Sequence, residues 1–307
     1  MKGIVVKSTG SWYLVRAHAD GQLYKCRLRG KFKNKGLKVS NPLAVGDEVT
    51  LEPEGGEQQA VITEITPRRN YIIRRSTHKA HHAHIVASNL DQAFLVVTLV
   101  SPRTSFGFID RFLVTAEAYD IPATLLFNKI DLYDEEAMGY LQQVMQLYGQ
   151  IGYTCYPISA HTGEGLEQVQ TLLSEKVTLF SGHSGVGKST LVNALVPDLD
   201  LKTSEISAFS DKGVHTTTFA EMFEIGPRTF LIDTPGIKEL GVVEMKREEI
   251  AHYFPEMRDR LNKCRFHNCV HVNEPGCAVQ EAVKKGKIAL PRYESYLSLL
   301  QDEDSHR

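Results

Sequence analysis

The stretch that decides the fold is VTLFSGHSGVGKSTLVNAL, residues 177–195. It opens with the apolar run Val177–Phe180, which has the length and composition of a buried strand. Gly182–Ser189 then fits the pattern G-x-x-x-x-G-K-[ST] at every fixed position, and the residues after it predict a helix with one apolar face. Glycines let such a loop turn its N–H groups towards phosphate oxygens, and the helix N-terminus adds partial positive charge. The stretch therefore predicts a nucleoside triphosphate site.

Individual roles in this phosphate-binding loop follow from the chemistry of phosphoryl transfer. Lys188 is expected to reach the β- and γ-phosphates, and the Ser189 hydroxyl is expected to be a ligand of Mg²⁺. A glycine-rich turn that matches by chance is the alternative, but it explains neither the strand before the loop nor the helix after it. The predicted nucleotide contacts here are Gly182, His183, Ser184, Gly185, Val186, Gly187, Lys188, Ser189 and Thr190.

The length of the chain and the distribution of its charges limit how many domains it can have and which partners it can bind. Its 307 residues suffice for two or three domains with separate cores. Residues 1–80 hold 15 Lys and Arg against 7 Asp and Glu, whereas residues 81–307 hold 20 against 30, so we expect a polyanionic partner for the N-terminal part.

Five cysteines, three of them between positions 264 and 277, favour a metal site in a reducing compartment over disulfides. No signal peptide or membrane span is predicted, so we expect a cytoplasmic protein without a membrane partner.

Residues 1–70 predict a small β-barrel of the OB type. Five short strands are indicated, with Asp20-Gly21 as a hairpin turn between the second and the third. Between Lys25 and Lys38 there are seven basic residues, no acidic residue and one aromatic ring, Phe32. Barrels that bind single-stranded nucleic acid often combine a basic groove with such rings. A solvated basic loop without a partner is an equally good interpretation.

Residues 71–88 are expected to be a linker, and residues 89–245 a doubly wound parallel sheet. Arginines and histidines without apolar periodicity favour a solvated linker, although its histidines could hold a metal. From residue 89 onwards, predicted strands and helices alternate, as in a parallel sheet covered by helices. The remaining residues, 246–307, are expected to form a C-terminal zinc-binding module with helices.

Two motifs at predicted strand ends indicate guanine recognition. Asn128-Lys129-x-Asp131 follows a strand, and Asp131 can accept from both the N1–H and the exocyclic amine of guanine, a donor pair that adenine lacks. Asn128 and Lys129 would brace the loop and pack on the base. The Ser159-Ala160 turn can offer a backbone N–H to guanine O6. In a chain with a phosphate-binding loop, this combination predicts a GTP site.

The residues beyond the phosphate-binding loop predict the segments that sense the γ-phosphate. Thr217, in a polar stretch, is expected to complete the Mg²⁺ shell when a triphosphate is bound. A predicted strand then ends in the pattern D-x-x-G. Its Asp233 would hold Mg²⁺ through water, and the Gly236 N–H would contact the γ-phosphate.

The order of these motifs along the chain is unusual. Ordinary GTPases run from the phosphate-binding loop through D-x-x-G to the guanine motifs, whereas here the guanine motifs come first. The same sheet forms if the usual termini are joined and the chain is cut after D-x-x-G, because each strand keeps its neighbours. The sequence therefore predicts a circularly permuted GTPase domain.

Four metal ligands are predicted close to the C-terminus. Cys264, Cys269, His271 and Cys277 lie within 14 residues, and three thiolates with one imidazole describe a structural rather than a catalytic Zn²⁺. His267 is an alternative imidazole ligand, and buried free cysteines are the alternative to a metal site. Helices are predicted before the cluster at 247–261 and after it at 278–285 and 293–300.

Together, these features resemble the RsgA family, also called YjeQ or YloQ, over roughly residues 1–300. The motifs that carry the resemblance are Asn41–Asp47, Gly182–Thr190, His215–Thr218 and Pro275–Cys277. The resemblance implies a bacterial GTPase of small ribosomal subunit maturation, stimulated by that subunit, whose barrel and zinc module contact ribosomal RNA. We expect a monomer. The alternatives are a signalling or transport GTPase with a protein partner, and an RNA-binding chaperone in which the nucleotide is structural.

One departure from the Ras-type pattern bears on mechanism. Ile237 follows the D-x-x-G motif, where Ras-like enzymes place a glutamine that orients the attacking water. We therefore expect slow intrinsic hydrolysis and a water-positioning group from elsewhere. His215 is the candidate, and the alternative is that it only shapes its loop. The predicted catalytic residues are His215, Lys188 and Gly236.

Overall fold

The computed structural model describes residues 1–9, 12–30, 42–56, 58–75, 83–196, 220–233 and 245–304. Several predictions therefore lie outside the described residues. They concern the basic loop beyond Gly30 and the roles assigned to His215, Thr217, Gly236 and Ile237.

The N-terminal residues form the predicted barrel. Its strands are β1 (Lys2–Ser8), β2 (Tyr13–Ala17), β3 (Leu23–Leu28), β4 (Glu48–Pro53) and β5 (Gln59–Ile65). They pair in the order β1-β2-β3-β5-β4, and β4 returns to β1 and closes the barrel. In β2, buried Tyr13, Val15 and Ala17 alternate with more exposed residues, so that one face of the strand fills the barrel. The predicted OB-type barrel is confirmed.

The segment expected to be a linker contains two strands, β6 (Tyr71–Arg75) and β7 (Ala83–Ser88), which pair as an antiparallel hairpin. Ile72, Ile73 and Ile85 are buried, because the hairpin packs against neighbouring apolar residues. The expectation of a solvated linker was therefore wrong for these two strands, because their isoleucines are buried. The strands are short, and the arginines and histidines around these isoleucines make the segment polar in composition, so its composition did not indicate strands.

The central residues form the predicted parallel sheet. Its strands are β8 (Gln92–Val97), β9 (Ala123–Phe127), β10 (Thr154–Pro157), β11 (Val177–Ser181), β12 (Glu221–Gly226) and β13 (Thr229–Asp233). The helices are α1 (Phe106–Ala118), α2 (Glu135–Ile151), α3 (Leu166–Leu173) and α4 (Lys188–Leu195). The strand order is β10-β9-β8-β11-β13-β12, and only β12 runs antiparallel to its neighbour β13. The strand before the phosphate-binding loop thus lies between β8, earlier in the chain, and β13, later in it, as the circular permutation requires.

The barrel and this sheet are continuous. Strand β12 pairs antiparallel with β1, where Lys7 lies opposite Glu221 and donates to its carboxylate at 2.9 Å. Ile4 and Val6 of β1 lie in the same apolar cluster as Met222 of β12. Within the described part of the chain, all strands except β6 and β7 therefore belong to one 11-stranded sheet.

The C-terminal residues form short helices around a core of their own. They are α5 (Pro255–Arg258), α6 (Ala278–Lys284) and α7 (Leu290–Asp304), with 3₁₀ turns at Ile250–Tyr253 and Leu261–Lys263. The single helix predicted at 247–261 was wrong, because Pro255 lacks an N–H and starts a new helical turn instead of continuing the previous one. The core includes Val114 of α1, so this module packs directly on the first helix of the central sheet.

Among the described residues, no helix combines the length and the apolar character that a membrane span needs.

Candidate nucleotide site and candidate metal centre

The phosphate-binding loop leaves β11 at its carboxyl end and enters α4. Gly182, Gly185 and Gly187 have φ values of 150°, 85° and 92°, in a region that side chains rarely adopt. A Cβ atom on Gly187 would lie 2.5 Å from Nδ2 of Asn128, so glycine is also required there by close packing. The loop is therefore shaped by its glycines in the way that the sequence motif predicts.

Lys188 lies at the start of α4 and turns back over this loop. Its Nζ donates to the carbonyl oxygens of Gly182 at 2.5 Å and His183 at 3.2 Å. Burial lowers the pKa of Lys188, and the negative charge of Asp233 opposes this shift. Asp233 lies opposite Phe180 in the parallel pairing of β13 with β11, so the predicted Mg²⁺ residue and the phosphate-binding loop meet at one edge of the sheet.

Asn128 connects the three predicted motifs. Its side chain is buried, Nδ2 donates to the carbonyl of Val186 at 2.8 Å, and Oδ1 accepts from the N–H of Ala160 at 2.9 Å. One side chain therefore joins the strand end that carries the guanine motif to the phosphate-binding loop and to the Ser159-Ala160 turn.

The other residues of the guanine motif are placed beside it. Lys129 has φ 66°, and its Nζ donates to the carbonyl of Ser101 at 2.9 Å. The exposed carboxylate of Asp131 accepts a 2.5 Å hydrogen bond from the Ser159 hydroxyl, which in turn accepts from the N–H of Thr162 at 3.1 Å. The turn after β10 thus orients the carboxylate that is predicted to recognise guanine.

A further segment at this site was not identified from the sequence. Residues 98–108, between β8 and the first turns of α1, lie against the phosphate-binding loop. Thr104 and Phe108 contact His183. A Cβ atom added to Gly185 would lie 3.4 Å from Cγ of Pro102, so Pro102 packs closely against this glycine. No motif marks these residues, because their contacts are with residues far away in the sequence. Thr104 and His183 are separated by 79 positions, and the other pairs have similar separations.

The four predicted metal ligands form one cluster. The ligand atoms of Cys264, Cys269, His271 and Cys277 all lie within 4.8 Å of one another. Nδ1 of His271 is 3.6 Å from Sγ of Cys264 and 3.3 Å from Sγ of Cys277, whereas His267 is not part of the group. Ligand atoms at the corners of a tetrahedral Zn²⁺ site lie about 3.5–3.8 Å apart, given the usual bond lengths. The donor set and its spacing therefore fit Zn²⁺ bound through Nδ1 and three thiolates.

Backbone contacts hold this cluster in place. Cys277 caps α6 and its Sγ accepts from the N–H of Gln280 at 3.4 Å. The Glu274 carboxylate accepts from three backbone N–H groups between residues 270 and 273, which lowers the pKa of Glu274 against the effect of its burial. Tyr293 of α7 donates to the carbonyl of His271 at 2.6 Å. The cluster therefore ties the loop at 264–277 to α6 and α7.

The strand order, the glycine geometry and the meeting of the two guanine motifs with the phosphate-binding loop define a circularly permuted P-loop GTPase. Residues 2–62 match the family model described as RsgA N-terminal domain, and residues 65–243 match that described as RsgA GTPase. The chain belongs to the RsgA family.

Relatives and solved structures match over almost the whole chain. A protein of Bacteroides fragilis named small ribosomal subunit biogenesis GTPase RsgA is 54% identical, covering 99% of this chain and 97% of its own length. A protein of the same name from Cytophaga hutchinsonii is 54% identical and is covered completely, as is this chain. The crystal structure of YjeQ from Thermotoga maritima matches with a TM-score of 0.78 and 34% identity, covering 98% of this chain and 97% of that one. A structure described as YloQ, a circularly permuted GTPase, matches with a TM-score of 0.76 and 29% identity, covering 100% and 96%.

Proposed function

We propose that this chain hydrolyses GTP to GDP and phosphate in the biogenesis of the small ribosomal subunit, and that binding to the subunit stimulates hydrolysis. The curated relatives carry this biogenesis function in their names, and the family model is that of a GTPase. The observation that carries the nucleotide assignment is the pair of hydrogen bonds made by Asn128, which brings base recognition and phosphate binding together.

Guanine recognition in this proposal belongs to the strand ends of β9 and β10. The Asp131 carboxylate accepts from the N1–H and the exocyclic amine of guanine, while the Ser159 hydroxyl keeps it oriented. The Ala160 N–H donates to Asn128 and the Ser159 N–H donates to the carbonyl of Glu164, so an N–H of this turn reaches guanine O6 only by exchanging its present acceptor for the base. Lys129 lies beside the base along its aliphatic stem.

Phosphate binding belongs to the loop between β11 and α4. The Lys188 ammonium exchanges the carbonyl oxygens of Gly182 and His183 for phosphate oxygens, which relieves the cost of its burial because phosphate supplies the missing negative charge. Mg²⁺ would be held by the Ser189 and Thr217 hydroxyls and, through water, by Asp233, and would neutralise charge on the phosphates.

Hydrolysis needs a water in line with the γ-phosphate bond that breaks. Lys188 and the Gly236 N–H stabilise the charge on the transferring phosphoryl group, and His215 accepts a hydrogen bond from the attacking water. Because Ile237 cannot orient water, we propose that docking on the subunit brings His215 to the attacking water and thereby switches on hydrolysis.

The outer modules supply the contacts with ribosomal RNA. In the barrel, the Trp12 ring is 41% exposed and Nζ of Lys25 lies 4.6 Å from its centroid, a ring and cation that suit unpaired bases. Arg27 and Arg29 are paired with Glu54 and Glu52, so RNA phosphates must displace these exposed ion pairs.

The metal and the assembly state complete the proposal. One structural Zn²⁺ per chain holds the C-terminal module through its Cys₃His cluster. We propose that the protein acts as a cytoplasmic monomer with functional units at 1–70, 89–245 and 246–307, joined by 71–88. Measurement of mass in solution tests the monomer.

The test is GTP turnover with and without purified small subunits. We expect stimulation by small subunits, little stimulation by large subunits, and loss of turnover in Lys188→Ala. Lys246→Ala, which removes an exposed lysine of the C-terminal module, is the matched control and should keep the wild-type turnover measured without subunits. His215→Ala should keep GTP affinity and lose most of the stimulated rate, and a surviving stimulated rate would assign the water to another group.

The alternatives predict different results in the same assay. A signalling or transport GTPase would show no stimulation by ribosomal subunits. A chaperone with a structural nucleotide would retain RNA binding and function in Lys188→Ala.

A further inference from the structure

His183 uses both of its ring nitrogens within the described structure. Its Nδ1 lies 3.0 Å from the carbonyl oxygen of Ser184, and its Nε2 lies 2.7 Å from Oγ1 of Thr104. A carbonyl can only accept, so Nδ1 carries the hydrogen and donates it. In the neutral ring, Nε2 is therefore the acceptor, and the Thr104 hydroxyl donates to it.

Thr104 is built to make this bond. Its side chain is buried, with 5% of the residue exposed, and Oγ1 accepts from the N–H of Thr98 at 3.1 Å. That bond occupies Oγ1 as an acceptor and leaves its O–H to donate to His183. The Phe108 ring meets the His183 ring edge to face, with 5.4 Å between centroids. Thr104 and Phe108 of the segment 98–108 thus hold His183 on the side of the ring away from its own backbone.

The bond to Ser184 fixes the orientation of one peptide group. The peptide between Ser184 and Gly185 is planar, so its C=O and N–H point in opposite directions. Because the imidazole holds the Ser184 oxygen, the Gly185 N–H is turned to the other side of the loop. Phosphate-binding loops work by such directed N–H groups, and an unfavourable peptide rotation removes one of them.

The support for Thr104 is itself rigid. Thr104 directly precedes α1, and Asp110 of that helix pairs with Arg292 of α7 at 2.6 Å, where both side chains are fully buried. The segment that holds His183 is therefore anchored to the C-terminal module and does not move freely with the loop.

We propose that His183 is a positioning residue, which presets the peptide at Ser184–Gly185 for phosphate binding, and that the Thr104 hydroxyl sets its ring. This inference rests on the proposed nucleotide function. It makes nucleotide affinity depend on a threonine that is not among the predicted nucleotide contacts.

The variants separate the two hydrogen bonds of the imidazole. His183→Asn keeps a donor near the place of Nδ1 but is too short to reach Thr104. His183→Gln places a polar atom near the place of Nε2. Thr104→Val removes the hydroxyl from the other side, and Thr104→Ser retains it. Thr115→Val is the matched control. Thr115 is buried like Thr104, but it lies within α1, and its hydroxyl donates to the backbone carbonyl of Arg111 in the same helix.

The measurements are the affinity and dissociation rate of a fluorescent GDP analogue, and KM and kcat for GTP turnover. We expect Thr104→Val and His183→Asn each to weaken GDP binding about fivefold, the typical worth of one net hydrogen bond. The double variant should be no weaker than either single variant, since both remove the same bond. KM should rise with kcat unchanged. His183→Gln, which can keep the bond to Thr104 but loses the bond to Ser184, should also weaken GDP binding, whereas Thr104→Ser and Thr115→Val should stay within about twofold of wild type.

Three results would overturn the inference. They are wild-type GDP affinity in both Thr104→Val and His183→Asn, additive losses in the double variant, or an equal loss in Thr115→Val, which would indicate general destabilisation. His183 is only half-buried, so its variant tests the same bond if Thr104→Val fails to fold. A wild-type protein that binds no guanine nucleotide would instead refute the proposed function.

Discussion

The buried ion pair between α1 and α7 gives the strongest prediction for stability. Arg292 is fully buried, and its guanidinium donates to Asp110 at 2.6 Å and to the two oxygens of Glu256 at 2.7 and 3.2 Å. It also lies 4.6 Å over the Phe254 ring. Burial alone would lower the pKa of Arg292, but the two carboxylates outweigh it and raise that pKa. Replacement of Arg292 by methionine keeps an apolar stem and leaves the carboxylate of Asp110 buried without a cation.

The size of the effect follows from the burial of both partners. Removing one partner of a buried ion pair costs about 3–5 kcal/mol, because the remaining charge is uncompensated. At about 1.4 kcal/mol per factor of ten, hydrogen-exchange protection of α1 and α7 amides should fall by roughly two to four orders of magnitude. Combining Arg292→Met with Asp110→Asn should recover part of the loss, since no lone charge is then buried.

The penalty should depend on pH. Burial raises the pKa of Asp110, and Arg292, Ser295 and Tyr148 oppose that shift. Without Arg292 the pKa of Asp110 should rise further. A carboxyl whose pKa is higher in the folded than in the unfolded state stabilises the fold at low pH, and this stability is lost as the pH rises through the folded-state pKa. The free energy of unfolding of Arg292→Met should therefore lie closer to wild type at pH 5 than at pH 8.

The assay is hydrogen exchange by mass spectrometry at pH 7, with urea unfolding at pH 5 and pH 8. Arg258→Met is the matched control, because Arg258 pairs with Glu117 at 3.1 Å but is 51% exposed, so its loss should cost at most about 1 kcal/mol. The reasoning is refuted if Arg292→Met loses no more protection than Arg258→Met, or if its penalty is the same at both pH values.

Three further variants test the modules. Asp131→Asn should weaken GTP binding by roughly 1–3 kcal/mol and admit xanthosine triphosphate, whose C2 carbonyl needs a donor; a competition assay that finds unchanged base preference would contradict the guanine assignment. Cys277→Ser should lose bound zinc in elemental analysis and unfold the C-terminal module while GDP binding persists, and full zinc occupancy would point to another ligand set. Replacing Lys31, Lys33 and Lys35 together by alanine should weaken subunit binding and reduce its salt slope by up to about three units, without moving GTP affinity; an unaltered slope would leave the basic loop without an RNA role.

Local patterns in the sequence were sufficient for most of the fold. A strand was predicted directly before Asn128, and β9 ends at Phe127, because an apolar run followed by a loop motif allows few other interpretations. The glycines of the phosphate-binding loop, at 182 and 187, have the conformations that their motif requires. Such features depend on neighbouring residues, so one sequence suffices to predict them.

Features that depend on distant residues could not be predicted. Arg292 and Asp110 are separated by 182 positions, and from the sequence alone each is expected to be a solvated charge on a helix. The bond between Thr104 and His183 joins residues 79 positions apart, and neither belongs to a fixed position of a motif. The guanine motif was identified, but the role of Asn128 in joining it to two other loops became visible only in three dimensions.

The circular permutation explains why the nucleotide site depends on both halves of the chain. Strand β11 pairs with β8, which precedes it by about 85 residues, and with β13, which follows it by about 50. The phosphate-binding loop therefore emerges from a strand whose two edges are covered by segments from opposite ends of the domain. A chain that lacked either neighbour would expose a row of unpaired backbone groups along β11 and lose the alignment that places Asp233 beside the loop. Each strand keeps its neighbours despite the permutation. Along the sequence, the C-terminal module follows the D-x-x-G motif. Its Arg292 pairs with Asp110 and so anchors α1, the helix that follows Thr104, the hydrogen-bond partner of His183.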